Sequence, residues 1–119
     1  MKNVLKIASV FALAAAVSGC ASLVTGGDLI RPGEPTGVIR VQNGGSGVIN
    51  AVLISDCNAS TYGLNRLPSG YSITPGQSYD FQVSSGCWDA MAGRIGYGDV
   101  SRRMQIPANG IQIWTVSDN

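Results

Sequence analysis

The sequence predicts an all-β domain: a small antiparallel β-sandwich of six or seven short strands, with a small β-barrel as second choice. Three observations carry this expectation. Apolar and polar residues alternate in short runs, as at Ile39 and Val41 or at Tyr79, Phe81 and Val83, which is the period of a half-buried strand. Clusters of glycine, proline, asparagine and serine break these runs about every eight to twelve residues. No segment after residue 20 repeats with the period of an amphipathic helix.

Taken in order, the first strand falls at Val38 to Gln42, with Ile39 and Val41 on the buried side. Asn43-Gly44-Gly45-Ser46-Gly47 follows, and its glycines permit the positive φ values of a hairpin. Residues 48–55 are apolar on both parities, which fits a central strand covered on both faces. Residues 56–72 form a long connection expected to cross between sheets with Leu64 and Leu67 tucked beneath it. Pro75-Gly76 supplies the two dihedrals of a type II turn. Further strands are expected at residues 79–83, 87–91, 100–106 and 111–116, with Pro107-Ala108-Asn109-Gly110 read as a hairpin turn. Gly93 to Asp99 is read as a connecting loop. Its glycines lack the order of a dinucleotide fingerprint, and no helix follows to present its N-terminus.

The N-terminus has a separate organisation. Lys2 and Lys6 precede an apolar run over residues 7–17, followed by Val17-Ser18-Gly19-Cys20. This is the layout of an export signal. The run is too short to cross a hydrocarbon core as a helix, which takes roughly 20 residues.

Val17-Ser18-Gly19-Cys20 resembles the lipobox of bacterial lipoproteins. That resemblance implies that Cys20 receives a diacylglyceryl group, that the leader is removed before it, and that the new amino terminus carries a further acyl chain such as palmitate. Position 21 is Ala21 rather than the aspartate that retains such proteins at the inner membrane, so the resemblance implies the outer membrane, facing the periplasm. Several acyl chains anchor a protein effectively permanently, because each buried methylene adds about 0.8 kcal/mol. The expected organisation is a signal peptide at 1–19, a lipid anchor and flexible tether at 20–37, and a β-sandwich at 38–117. The pattern of Val41-Gln42-Asn43, Ile73-Thr74-Pro75-Gly76, Tyr79-Asp80-Phe81-Gln82-Val83 and Cys87-Trp88-Asp89 is loosely similar to small exported bacterial β-sandwich domains.

With Cys20 lipidated, Cys57 and Cys87 remain as an even pair in an exported chain, where disulfides form and persist. Both lysines belong to the leader, which leaves six arginines against seven acidic residues. Such a balance offers no footprint for nucleic acid. The chain has no histidine, so the commonest general base and metal ligand is missing. Asp56, Asp80, Asp89 and Asp99 lack the spacing of a calcium loop. No enzyme activity, cofactor or metal is expected.

Candidate binding residues are Tyr62, Tyr71 and Tyr97, which fall in expected loops, and the basic pair Arg102-Arg103. Tyr79, Phe81, Trp88 and Trp114 sit at strand parity and are expected in the core. Successive strand residues face opposite ways, so Arg102 and Arg103 cannot form one patch. Arg102, sharing parity with Met104 and Ile106, is expected to pair with a carboxylate such as Asp89. The expected function is that of a structural or accessory envelope protein with an unidentified envelope protein as partner. The alternative is an inhibitor or ligand-binding module for glycan or peptide. Small β lipoproteins that inhibit lysozymes are similar in size, anchor and disulfide, although the nearest match to their loop, Ser69-Gly70-Tyr71, brings the tyrosine too early.

Overall fold

Among the described residues six strands form, close to the expected segments: β1 (Thr36–Asn43), β2 (Ala51–Asp56), β3 (Ser78–Ser84), β4 (Gly86–Arg94), β5 (Gly98–Ile106) and β6 (Ile111–Val116). The computed structural model describes residues 27–95 and 97–117. The expected signal peptide, Cys20 and the first part of the expected tether lie outside them. The strands form two three-stranded sheets, ordered β3-β1-β6 and β2-β4-β5. Their inner faces enclose Ile39, Val41, Val52, Ile54, Phe81, Val83, Trp88, Met104, Ile106 and Trp114. The sandwich expected from the alternation is the fold.

One pairing departs from an all-antiparallel arrangement. β1 runs parallel to β6, with Val38 beside Ile111 and Asn43 beside Val116, and antiparallel to β3. β1 is therefore the centre of its sheet. On its solvent face Arg40 stands opposite Asp80 and donates Nε to Oδ1 at 2.8 Å and Nη2 to Oδ2 at 2.9 Å. The Arg40 hydrogen bond holds the Asp80 carboxyl below its usual pKa, against a smaller opposing effect of desolvation. A carboxylate with a lowered folded pKa adds stability above its unfolded pKa, and that stability fades as pH falls through the folded value. Both side chains are more than a third exposed, so the contribution is small. Asp80→Asn is expected to melt slightly below the parent at pH 7, and the gap should close below about pH 4, the ordinary aspartate range. A gap that persisted at pH 2 would show the pair is not its origin.

The connections differ from the expected hairpins. Of the five, β4–β5 alone is a hairpin within one sheet; the others cross between sheets. The turn at 107–110 keeps its expected chemistry, with Asn109 at φ 58° and Gly110 N–H on the Pro107 carbonyl at 3.2 Å. It carries the chain from β5 into β6 alongside β1, where Asn109 N–H reaches the Thr36 carbonyl at 2.7 Å and the Gly110 carbonyl accepts from Val38 N–H at 2.9 Å. The approach is close enough to require glycine at position 37. A Cβ there would collide with the Pro107 carbonyl oxygen and with Ile106.

The strand expected at 48–55 begins instead at Ala51, and it is an edge rather than a centre. Ile49 leaves it to exchange backbone bonds with Ile73 at 2.8 and 2.9 Å. The outer edge of β2 is covered by the 57–77 connection. Val52 donates to Asn65 Oδ1 at 2.8 Å and accepts from Arg66 N–H at 2.6 Å. The Arg66 guanidinium caps the Ile54 carbonyl at 2.9 Å. Burial holds the Arg66 pKa below its usual value, opposed by the charge of Asp28. The connection does cross between sheets, with Leu67 buried beneath it, but Leu64 is exposed.

The expected tether is docked over its second half. Gly27 offers its carbonyl to Arg66 Nη2 at 2.6 Å, and Leu29 packs on the core while its carbonyl accepts from Ser84 N–H at 2.8 Å. Arg31 N–H bonds Ser84 Oγ at 2.7 Å. Its guanidinium spans Glu34 at 3.0 Å and Asp56 at 2.8 Å, with its carbon 4.8 Å from the Trp88 ring centroid. The glycines and prolines of this segment set the backbone's freedom; Leu29 and Arg31 set where it rests.

Candidate functional site

The two ends of the sandwich are built differently. At one end Cys57 and Cys87 form a disulfide with Cα atoms 5.6 Å apart. Asp56 pairs with Trp88 in the β2–β4 ladder, so the cysteines at their flanks meet as the antiparallel register brings them together. The bridge pins the start of the 57–77 connection to β4. Trp88, fully buried, donates its indole N–H to the Ser84 carbonyl at 2.7 Å. Arg31 then closes this end against Asp56 and Trp88.

The opposite end opens into a groove of about 640 Å³ between the 43–49 loop and the β4–β5 hairpin. Its floor is apolar, with Ile49, Ala92, Val100 and Val116, and its rim carries Arg94, Tyr97 and Asp99. Asn43 shapes the rim from below. Although 2% exposed, its side chain donates to the Gly47 and Ile73 carbonyls at 2.7 and 2.8 Å and accepts from Gly45 N–H at 3.0 Å. The hairpin is fixed by Ile95 N–H on Asn50 Oδ1 at 2.9 Å. Gly93 permits its tightness, since a Cβ there would collide with the Gly98 carbonyl. The groove presents a cation, a carboxylate and a phenol above an apolar floor.

The sequence-predicted binding residues do not gather there. Tyr97 is at the rim, 75% exposed, with the Arg94 guanidinium carbon 4.0 Å from its ring centroid. Tyr71 packs against Tyr79 at 5.1 Å, and Tyr79 against Phe81 at 4.9 Å, so it caps an aromatic row along β3. Tyr62 is half-buried. The expected Arg102–Asp89 pair is replaced by Arg103–Asp89, at 2.9 and 3.0 Å. The β4–β5 register decides this: Asp89 stands opposite Arg103, and Arg102 opposite Ala90. Arg102 shares the core-facing parity of Met104 and Ile106 yet is exposed, as is Val100, because the first half of β5 overhangs the other sheet.

Sequence reasoning missed the groove. Its signal lies in two glycine-rich runs, 44–47, expected as a hairpin turn, and 93–98, expected as part of a connecting loop but forming the tight end of the β4–β5 hairpin. Among the described residues no group of three or more histidine, cysteine, aspartate or glutamate side chains is placed to hold a metal. Asp56, Asp80 and Asp89 are each paired with an arginine, and among the described residues no buried side-chain polar atom lacks a partner. No protein-family model matches the chain, and no curated protein matches it significantly.

Proposed function

We propose that the protein is an accessory envelope lipoprotein, anchored in the outer membrane through acylated Cys20, facing the periplasm and acting through protein contacts. The observation that carries this reading is Val17-Ser18-Gly19-Cys20 at the end of a short apolar run behind two lysines. Six residues separate Cys20 from docked Gly27, a reach of at most about 25 Å when extended. Gly27 and Leu29 rest beside Arg66 and Ser84, on the flank where β2 and β3 lie. The membrane therefore faces this flank, and the β5 and β6 edges point away from it toward a partner.

The test is Cys20→Ala. Palmitate incorporation should be abolished and the protein should move from the membrane to the soluble fraction. A parent chain that takes up no palmitate, or a variant that stays on the membrane, would defeat the reading.

The groove favours a second reading, a ligand-binding module or inhibitor for glycan or peptide. Its apolar lining residues Ile49, Ala92 and Val116, together with Arg94, Tyr97 and Asp99, have the composition of a small-ligand site. Lysozyme activity assayed with and without the protein, and glycan or peptide titrations repeated with Tyr97→Ala, separate it from the first reading.

A further inference from the structure

We propose that the free edge of β5 pairs antiparallel with β5 of a second copy of this chain, about a two-fold axis at Ser101. The proposal rests on the reading of the protein as one that acts through protein contacts, and names the partner; it does not depend on the anchor. Four strand edges border the two sheets. The edge of β2 is covered by Asn65 and Arg66, and that of β3 is met by Leu29. β6 offers six residues and β5 nine, and among the described residues no backbone bond reaches the outer edge of β5. A long open edge is a template for another strand.

Charge selects both the occupant and the register. A two-fold axis normal to the sheet keeps each side chain on its own face, so the two strands must be centred on a residue. Centring on Arg102 or Arg103 sets like charges opposite each other, which is destabilising. Centring on Val100 leaves Asp99 opposite serine. Centring on Ser101 sets Asp99 opposite Arg103 of the copy, twice over, and lays the Arg102 stem against the exposed Val100 of the other strand. Arg103 is prepared for this. It uses Nε and Nη2 on its own Asp89, which leaves Nη1 to meet Asp99 of the second copy. Isologous pairing of this kind closes after two chains and yields a six-stranded sheet, β2-β4-β5 continued by β5-β4-β2.

The experiment uses the full chain in its native membranes, with cysteine placed on β5 and mild oxidation. Ser101→Cys should give a disulfide-linked dimer as the main species, because the two cysteines face each other across the axis. Gln105→Cys, on the same face, lies four residues from the axis in each strand. Its two copies are about 27 Å apart, so it should remain monomeric. Asp99→Arg in the Ser101→Cys background should lower the dimer yield at least several-fold. A monomeric Ser101→Cys chain, equal crosslinking from Gln105→Cys, or indifference to Asp99→Arg would each overturn the proposal. A mixed disulfide between Ser101→Cys and a different protein would also overturn self-pairing, while leaving the protein-contact reading in place. Palmitate labelling of the same samples reports on the anchor separately.

Discussion

Replacing Cys57 and Cys87 together with serine is expected to lower the free energy of unfolding by about 3–4 kcal/mol. The two are 30 residues apart in sequence, and in the chain-entropy account the bridge acts by restricting the unfolded chain across that loop. Small domains have about 5–15 kcal/mol in total, so this loss is a large share. The loss is one of global stability, because the restriction acts on the unfolded chain, although the bridge itself sits at the end where β2 leaves and β4 enters, beside Arg31 and Trp88. Urea titration of the parent, of the reduced parent and of the double variant should place the last two together and well below the first. A double variant with the parent's midpoint would mean that Asn65 and Arg66 alone hold the connection.

Asn43→Ala is the second large effect, expected at about 2–4 kcal/mol. The side chain is buried and serves the Gly47 and Ile73 carbonyls and the Gly45 N–H. Alanine removes all three bonds at once, and leaving a buried polar group unpaired costs about 1–3 kcal/mol. Unlike the disulfide, this residue acts on the groove, so the variant should combine lower stability with a loosened rim. Thermal unfolding gives the first quantity and hydrogen exchange at the Gly45 amide the second. Should the amide of Gly45 keep its protection, the rim does not depend on the Asn43 carboxamide and the stability loss should shrink with it.

The sequence made the sandwich legible because its evidence is local. Ile39 and Val41, or Tyr79, Phe81 and Val83, declare a buried face within five residues, and Phe81, Trp88 and Trp114 lie in the core as their parity requires. The disulfide was legible for a different reason: the lipidation expected of Cys20 leaves only one pair of cysteines. What could not be read was which strand lies beside which. Asn43 to Gly47 has the same turn residues whether the chain folds back on itself or crosses to the other sheet, and it crosses. The partner of Asp89 depended on one residue of register, which moved the pair from Arg102 to Arg103. β2 looked central because both parities are apolar, yet it is an edge whose cover comes from Asn65 and Arg66, thirteen and more residues away. The groove combines both difficulties. Its two glycine-rich walls are about fifty residues apart in the chain, and only the pairing of two sheets sets them at one end.

The side-by-side placement of β1 and β6 has a consequence for how the protein reaches its folded state. Val38, at the start of the sandwich, needs Ile111, near its end. The central strand of one sheet stays half-paired until nearly the whole chain is available. Contacts this distant in sequence form slowly. On the proposed export route that delay is useful, because a precursor unable to complete its first sheet remains a threadable chain while it crosses the membrane. The domain then closes on the far side, where its thiols can oxidise and its last strand arrives to lock in its first.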